Sequence, residues 1–134
     1  MKPEEKDLLV KDLCCRLPYG VKISAPELWT NEEKIETLNE IFKGDDDLYR
    51  VNSNGVLIKY VKPYLFPMPN KDEDEEYDKF LTELIEIELK VISGELEREH
   101  SFEFEMNYYH KNHIDYRGLI PKGLAIDATG KNIY

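Results

Sequence analysis

Apolar positions along the chain change their period several times, and each change predicts an element. Leu8, Leu9, Leu13 and Leu17 recur at helical spacing behind Pro3-Glu4-Glu5, a first-turn proline followed by acids at the positive end of the helix dipole. This predicts a helix ending near Leu17-Pro18, with Leu9, Leu13 and Cys14 or Leu17 turned inward and Cys15 partly exposed. Tyr19-Gly20-Val21-Lys22-Ile23 then alternates like a half-buried strand, which Ala25-Pro26 ends. Residues 32–42 admit two readings. Ile35, Leu38, Ile41 and Phe42 share a helical face behind the capping signal Thr30-Asn31-Glu32-Glu33, whereas the neighbouring strands favour a short strand over Lys34 to Thr37 followed by a turn. Leu48–Val51 and Val56–Tyr60 read as a hairpin around Asn52-Ser53-Asn54-Gly55, residues that tolerate positive φ. Trp29, the single tryptophan, is expected as a core or rim anchor.

The segment Val61–Pro69 divides this strand-like half from a helical one. Pro63, Pro67 and Pro69 each fix φ and remove a backbone donor, so neither a long helix nor a central strand is expected to run through it. Tyr64, Leu65, Phe66 and Met68 are too apolar for a solvated linker and predict a clasp packed against both halves. Acids crowd 72–78, as at a helix entrance, and Tyr77, Phe80, Leu81, Leu84, Ile85, Ile87, Leu89, Val91 and Ile92 follow. Placed on a helix they cover roughly 200°, wider than one buried face, so this helix needs two neighbours or a partner. Glu88 falls inside the arc, where its carboxylate should snorkel, pair with a cation or carry a raised pKa. Ser93-Gly94 is the expected stop. Residues 102–112 alternate at first but also align on one helical face, and a helix is favoured. Ile114–Ala125 should wrap back over the core through Leu119, Ile120 and Leu124, leaving 127–132 frayed.

The predicted fold class is α+β: an N-terminal helix, a small antiparallel β-sheet or SH3-like barrel, the proline-rich connector, then C-terminal helices. The predicted organisation is one domain over 1–134, comprising 1–60, the connector 61–69, and a helical half with an extended tail over 70–134. Its 134 residues, 41% hydrophobic with nine tyrosines, suffice for a core, and a formal charge of −10 disfavours direct binding to nucleic acid or anionic membrane. Cys14 and Cys15 are adjacent and form no disulfide framework. Without a signal peptide or a long apolar run, a reduced cytoplasmic location is expected.

Chemistry is sparse. His110 and His113, three apart on a helix with His100 and Asp115 nearby, are weak metal candidates, lacking a zincin glutamate or a cysteine. Asp45-Asp46-Asp47 lacks the alternation of a calcium loop and reads as a solvated turn. Nucleophile, phosphate-loop and dinucleotide motifs are missing, so no catalytic residue, cofactor or enzyme activity is expected. Asp115, Tyr116 and Arg117 sit at a turn that a carboxylate–guanidinium bond could fix. Alternatively, Tyr116 and Arg117 join Tyr64 and Phe66 as a partner-binding surface.

Three motifs occur in order: Lys2-Pro3-Glu4-Glu5-Lys6-Asp7-Leu8-Leu9 with Arg16-Leu17-Pro18-Tyr19-Gly20-Val21; Lys62-Pro63-Tyr64-Leu65 with Pro67-Met68; and Asp115-Tyr116-Arg117-Gly118-Leu119-Ile120 after His113. Covering under half of the chain, they resemble an uncharacterised family of short acidic proteins from gut-bacterial genomes, prophages and mobile elements. The resemblance implies a cytoplasmic or phage-associated accessory protein and no biochemical activity. Two functions follow: an interaction module that binds a protein partner or itself through the greasy helix, or an acidic decoy that mimics nucleic acid and occupies a host DNA-binding protein. The first requires an exposed apolar patch, the second regular rows of carboxylates with little apolar exposure.

Overall fold

Helix α1 spans Pro3–Arg16, and the Glu5 carboxylate reaches back to accept from the Lys2 amide at 3.3 Å, closing its first turn. The computed structural model describes every residue except Leu28. The face that α1 buries is Leu9, Asp12, Leu13 and Arg16. Cys14 lies about 100° further round from Leu13; it is exposed, while Cys15 is half-buried, the reverse of the expected order. A 3-10 turn over Leu17–Tyr19 follows, and Gly20, at φ 70°, turns the chain into the sheet where a side chain would be strained.

The larger sheet has the order β2-β1-β6-β7, with β1 at Lys22–Pro26, β2 at Glu33–Thr37, β6 at Lys62–Leu65 and β7 at Ile126–Asp127. The strand reading of 34–37 therefore holds, and Ala25 and Pro26 belong to β1 rather than ending it, pairing with Lys34 and Glu33. A separate antiparallel meander comprises β3 (Ile41–Lys43), β4 (Tyr49–Val51) and β5 (Val56–Leu57), the last two joined at the predicted hairpin. Asn52, at φ 57°, ties the two sheets together: its Oδ1 accepts from Asn39 N at 2.7 Å, and its Nδ2 donates to Glu36 Oε1 and to the Thr37 carbonyl. The architecture is α+β as expected, with no closed barrel among the described residues. Strands of two or three residues in the meander are too short to tilt and stagger around a closed cylinder.

The connector differs from expectation in two respects. A strand does run through Pro63, and an interior one: β6 pairs antiparallel with β1 through Lys62 and Pro63, then parallel with β7 through Tyr64 and Leu65. Each neighbour is held over two residues only, and Pro63 falls next to the strand's start, where a missing donor disrupts least. Beyond β6, the Phe66 amide donates to the His113 carbonyl and Asp115 N donates to the Phe66 carbonyl, both at 2.8 Å. Tyr64 and Leu65 are buried and Phe66 is half-buried, but Met68 is exposed and takes no part.

Helix α2 spans Glu75–Ile92, its Asp74 cap accepting from Tyr77 N; α3 spans Arg98–Lys111, covering most of the predicted 102–112 helix. Gly94, at φ 85°, follows the expected stop. The two helices pack as a hairpin around Tyr77, Phe80, Leu84, Tyr109 and Ile114, and the Phe80 and Tyr108 rings stack at 3.8 Å. The main core is distinct, built on Leu9, Leu13, Ile23, Val61, Leu65 and Leu119. The closing segment is not frayed. Ala128 N donates to the Leu65 carbonyl at 2.8 Å, and the Tyr134 hydroxyl donates to the Tyr64 carbonyl at 2.6 Å while accepting from Lys22 N at 2.8 Å. Trp29 is 93% exposed and anchors no core.

Candidate functional site

A charged junction lies where α1 meets the turn after α3. Arg16 and Asp12, one helical turn apart and fully buried, bond through Nε and Oδ2 at 2.7 Å. Arg117 Nε donates to the second Asp12 oxygen at 3.1 Å, and Arg16 Nη2 donates to the Ile114 carbonyl. Asp115 does not pair with Arg117, contrary to the expected turn lock; its two oxygens accept from Leu119 N and Ile120 N, each at 2.8 Å. Tyr116 lies between the guanidinium groups, 5.2 Å from Arg16 and 4.9 Å from Arg117 to its ring centre. Two carboxylates and two guanidiniums thus meet in the junction, each bonded within the chain, while Arg16 Nη1 is buried without a hydrogen-bond partner among the described residues.

His110 and His113 lie at the same junction, whereas His100 is exposed in the first turn of α3. His110 Nε2 shares a 2.7 Å hydrogen bond with the Tyr116 hydroxyl, and burial, then Arg16, lower its pKa. His113 stacks on Tyr134 with ring centres 3.8 Å apart, and burial followed by Arg16 pulls it down to about 4. No group of three or more His, Cys, Asp or Glu among the described residues could hold a metal ion. The Cys14 thiol is pushed up, first by partial desolvation and then by Cys15, the opposite of an activated nucleophile.

The four residues singled out for partner binding are brought close but mostly turned inward. Tyr64 is buried, Phe66 packs against Tyr134 at 5.8 Å, Tyr116 is half-buried in the junction, and Arg117 is tied to Asp12. Together they build the seam between the halves and expose little for recognition.

An exposed apolar stripe lies on the hairpin, apart from the exposed Trp29, Tyr60 and Ile35 of the other half. Ile85, Leu89 and Ile92 of α2 are 56%, 59% and 82% exposed, and Phe102 of α3 is 64% exposed. Tyr77, Phe80 and Leu84 account for the buried side of α2, so α3 supplies one neighbour for a helix whose pattern called for two. Glu88, predicted within the apolar arc, is exposed beside this stripe. It faces Glu105 of α3 closely enough that desolvation, then the Glu88 charge, raises the Glu105 carboxyl. The width of the apolar arc signalled this surface from sequence; Phe102 carried no separate signal, since its helical face also holds Met106 and Tyr109.

No helix among the described residues is long and apolar enough to cross a membrane. Comparison with protein-family models, curated proteins and solved structures gives no match, so the geometry alone carries the functional reading.

Proposed function

We propose that the chain is a non-enzymatic interaction module that docks a partner protein on the α2–α3 hairpin, working in the cytoplasm as an accessory protein of a prophage or mobile element. The carrying observation is the exposed stripe Ile85, Leu89, Ile92 with Phe102, on an arm whose opposite side is already packed. Several large apolar side chains in line on one helix leave water-exposed area that a partner would bury, at about 25 cal/mol per Å². The resemblance of the three motifs to short phage-associated proteins supports the cellular setting. The decoy reading draws on the net charge of −10 and on the acids of 72–78, but those acids cluster at one helix entrance and adjoin the apolar stripe rather than forming regular rows.

Affinity capture from the native host with the wild-type chain and a Leu89→Glu/Ile92→Glu variant tests the module. Proteins retained by the wild type and lost by the variant, with unchanged circular dichroism, are expected. Identical captured sets, or no captured protein together with a monomer by light scattering, would overturn the reading.

A further inference from the structure

Beyond the existence of a docking face, its chemistry narrows the occupant. On α2, residues advance about 100° each, so Leu81, Ile85, Leu89 and Ile92 fall within about 80° of arc and run about 16 Å along the axis, the footprint of three helical turns. Ile85, Leu89 and Ile92 are exposed while Leu81 is half-buried, so the stripe opens to solvent toward the helix end. Its border toward α3 is acidic: Asp78 and Glu88 sit within or beside the arc, both exposed, while beyond Leu89 the surface of α2 alternates Glu75 and Glu86 with Lys79 and Lys90, and Arg98 stands one turn before Phe102 on α3. On α3, Glu105 lies close enough to Glu88 that its carboxyl is raised, first by desolvation and then by the Glu88 charge, and no cation is bonded to either among the described residues.

We infer that the segment seated on this stripe is a basic amphipathic helix of a partner protein, with apolar residues at i, i+4 and i+7 against Ile85, Leu89 and Ile92 and a Lys or Arg reaching between Glu88 and Glu105. A helix laid along the stripe matches its length and its helical spacing. A flanking cation relieves the like-charge pair and complements the acidic border toward α3. A second copy fits poorly because it would set two acidic borders against each other on chains of net charge −10. An anionic lipid surface fails for the same reason.

The inference rests on the hairpin being a docking face, and one set of measurements separates the two claims. Fluorescence anisotropy would use three labelled synthetic peptides of about 18 residues: a Leu/Lys/Arg amphipathic helix, its charge-reversed Leu/Glu counterpart, and a scrambled basic peptide without amphipathicity. The basic amphipath should bind at least about tenfold more tightly than either control. Its affinity should fall with added salt, drop about tenfold in Leu89→Ser/Ile92→Ser, and lose much of its salt dependence in Glu88→Gln/Glu105→Gln. Equal binding of the reversed peptide, or a concentration-dependent dimer abolished by Leu89→Ser, would overturn the basic partner while leaving the docking face in place. Equal binding of the scrambled peptide, or no binding by any peptide, would also overturn it. The docking face itself then stands or falls on the host capture with Leu89→Glu/Ile92→Glu.

Discussion

Arg16 donates from Nη2 to the carbonyl oxygen of Ile114 at 2.6 Å, joining residues 98 positions apart. The same guanidinium holds Asp12, so one fully buried side chain links α1 to the turn that ends the helical hairpin. Breaking a buried pair from one side leaves the other charge stranded. Arg16→Met should therefore cost about 3–5 kcal/mol, because Asp12 keeps only Arg117. Asp12→Leu/Arg16→Met should cost less than Arg16→Met alone, since the stranded carboxylate is gone and half-buried Arg117 can turn to water. Urea unfolding of the three proteins checks the ordering.

The Tyr134 hydroxyl spans two strands, donating to the Tyr64 carbonyl and accepting from Lys22 N. Tyr134→Phe should lose about 0.5–1.5 kcal/mol, because two backbone groups at a part-exposed site lose their hydroxyl partner. Amide exchange at Lys22 should accelerate. Desolvation raises the Tyr134 phenol to about 12, so spectrophotometric titration should find one fewer tyrosine ionising above the ordinary range in the variant, while Tyr108, Tyr109 and Tyr116 stay raised in both proteins.

Acid should loosen the seam before it protonates most carboxylates. His113 has a folded pKa of about 4 against its ordinary 6.5, so it is neutral in the fold and takes up a proton more readily when unfolded. Between about pH 6.5 and 4 the unfolded state binds more protons, and stability from this group falls as pH falls; below about 4 its contribution levels off. His110 shifts in the same direction. Asn tolerates the φ of 56° at position 113 and does not titrate. His113→Asn should give a shallower loss of melting temperature over that window, with His110 supplying the remainder of the slope.

Leu65 is fully buried in the main core, and Phe66 bonds through its backbone to His113 and Asp115. Leu65→Ala should cost about 2–5 kcal/mol, and Leu65→Ser/Phe66→Ser should unfold the chain in one transition. NMR signals of Ile23 in β1 and of Leu84 in α2, buried in the two separate clusters, should disappear around a common midpoint in urea. Separate midpoints for the two halves would refute the clasp.

Elements encoded by neighbouring residues are legible in the order of the amino acids alone. Pro3 with Glu4 and Glu5, the acids before Tyr77, and Asn52 with Gly55 mark helix starts and a hairpin because caps, dipoles and turns are local. What escapes such reading depends on partners far along the chain. Pro63 argues against an interior strand until Ile126 and Asp127 arrive to pair with the residues after it. The 127–132 segment looks frayed because nothing nearby reveals the Leu65 carbonyl that Ala128 meets. Asp12 and Arg16 look like solvent residues on α1, and only Ile114 and Arg117 explain their burial. The candidate surface is half visible: an apolar arc too wide for one neighbour is a sequence property, whereas the exposure of Phe102 follows from how α3 settles on α2.

Strands β6 and β7 lie side by side in parallel, yet the whole α2–α3 hairpin occupies the chain between them. The arm is therefore the crossover of this strand pair, a loop grown into a lever. Sheet geometry constrains only where its two ends leave and return, so its length, tip and outer face can drift in evolution at little cost to the body. The residues around Ile85–Phe102 can therefore be rewritten while the strands, the charged seam and the closing segment stay as they are.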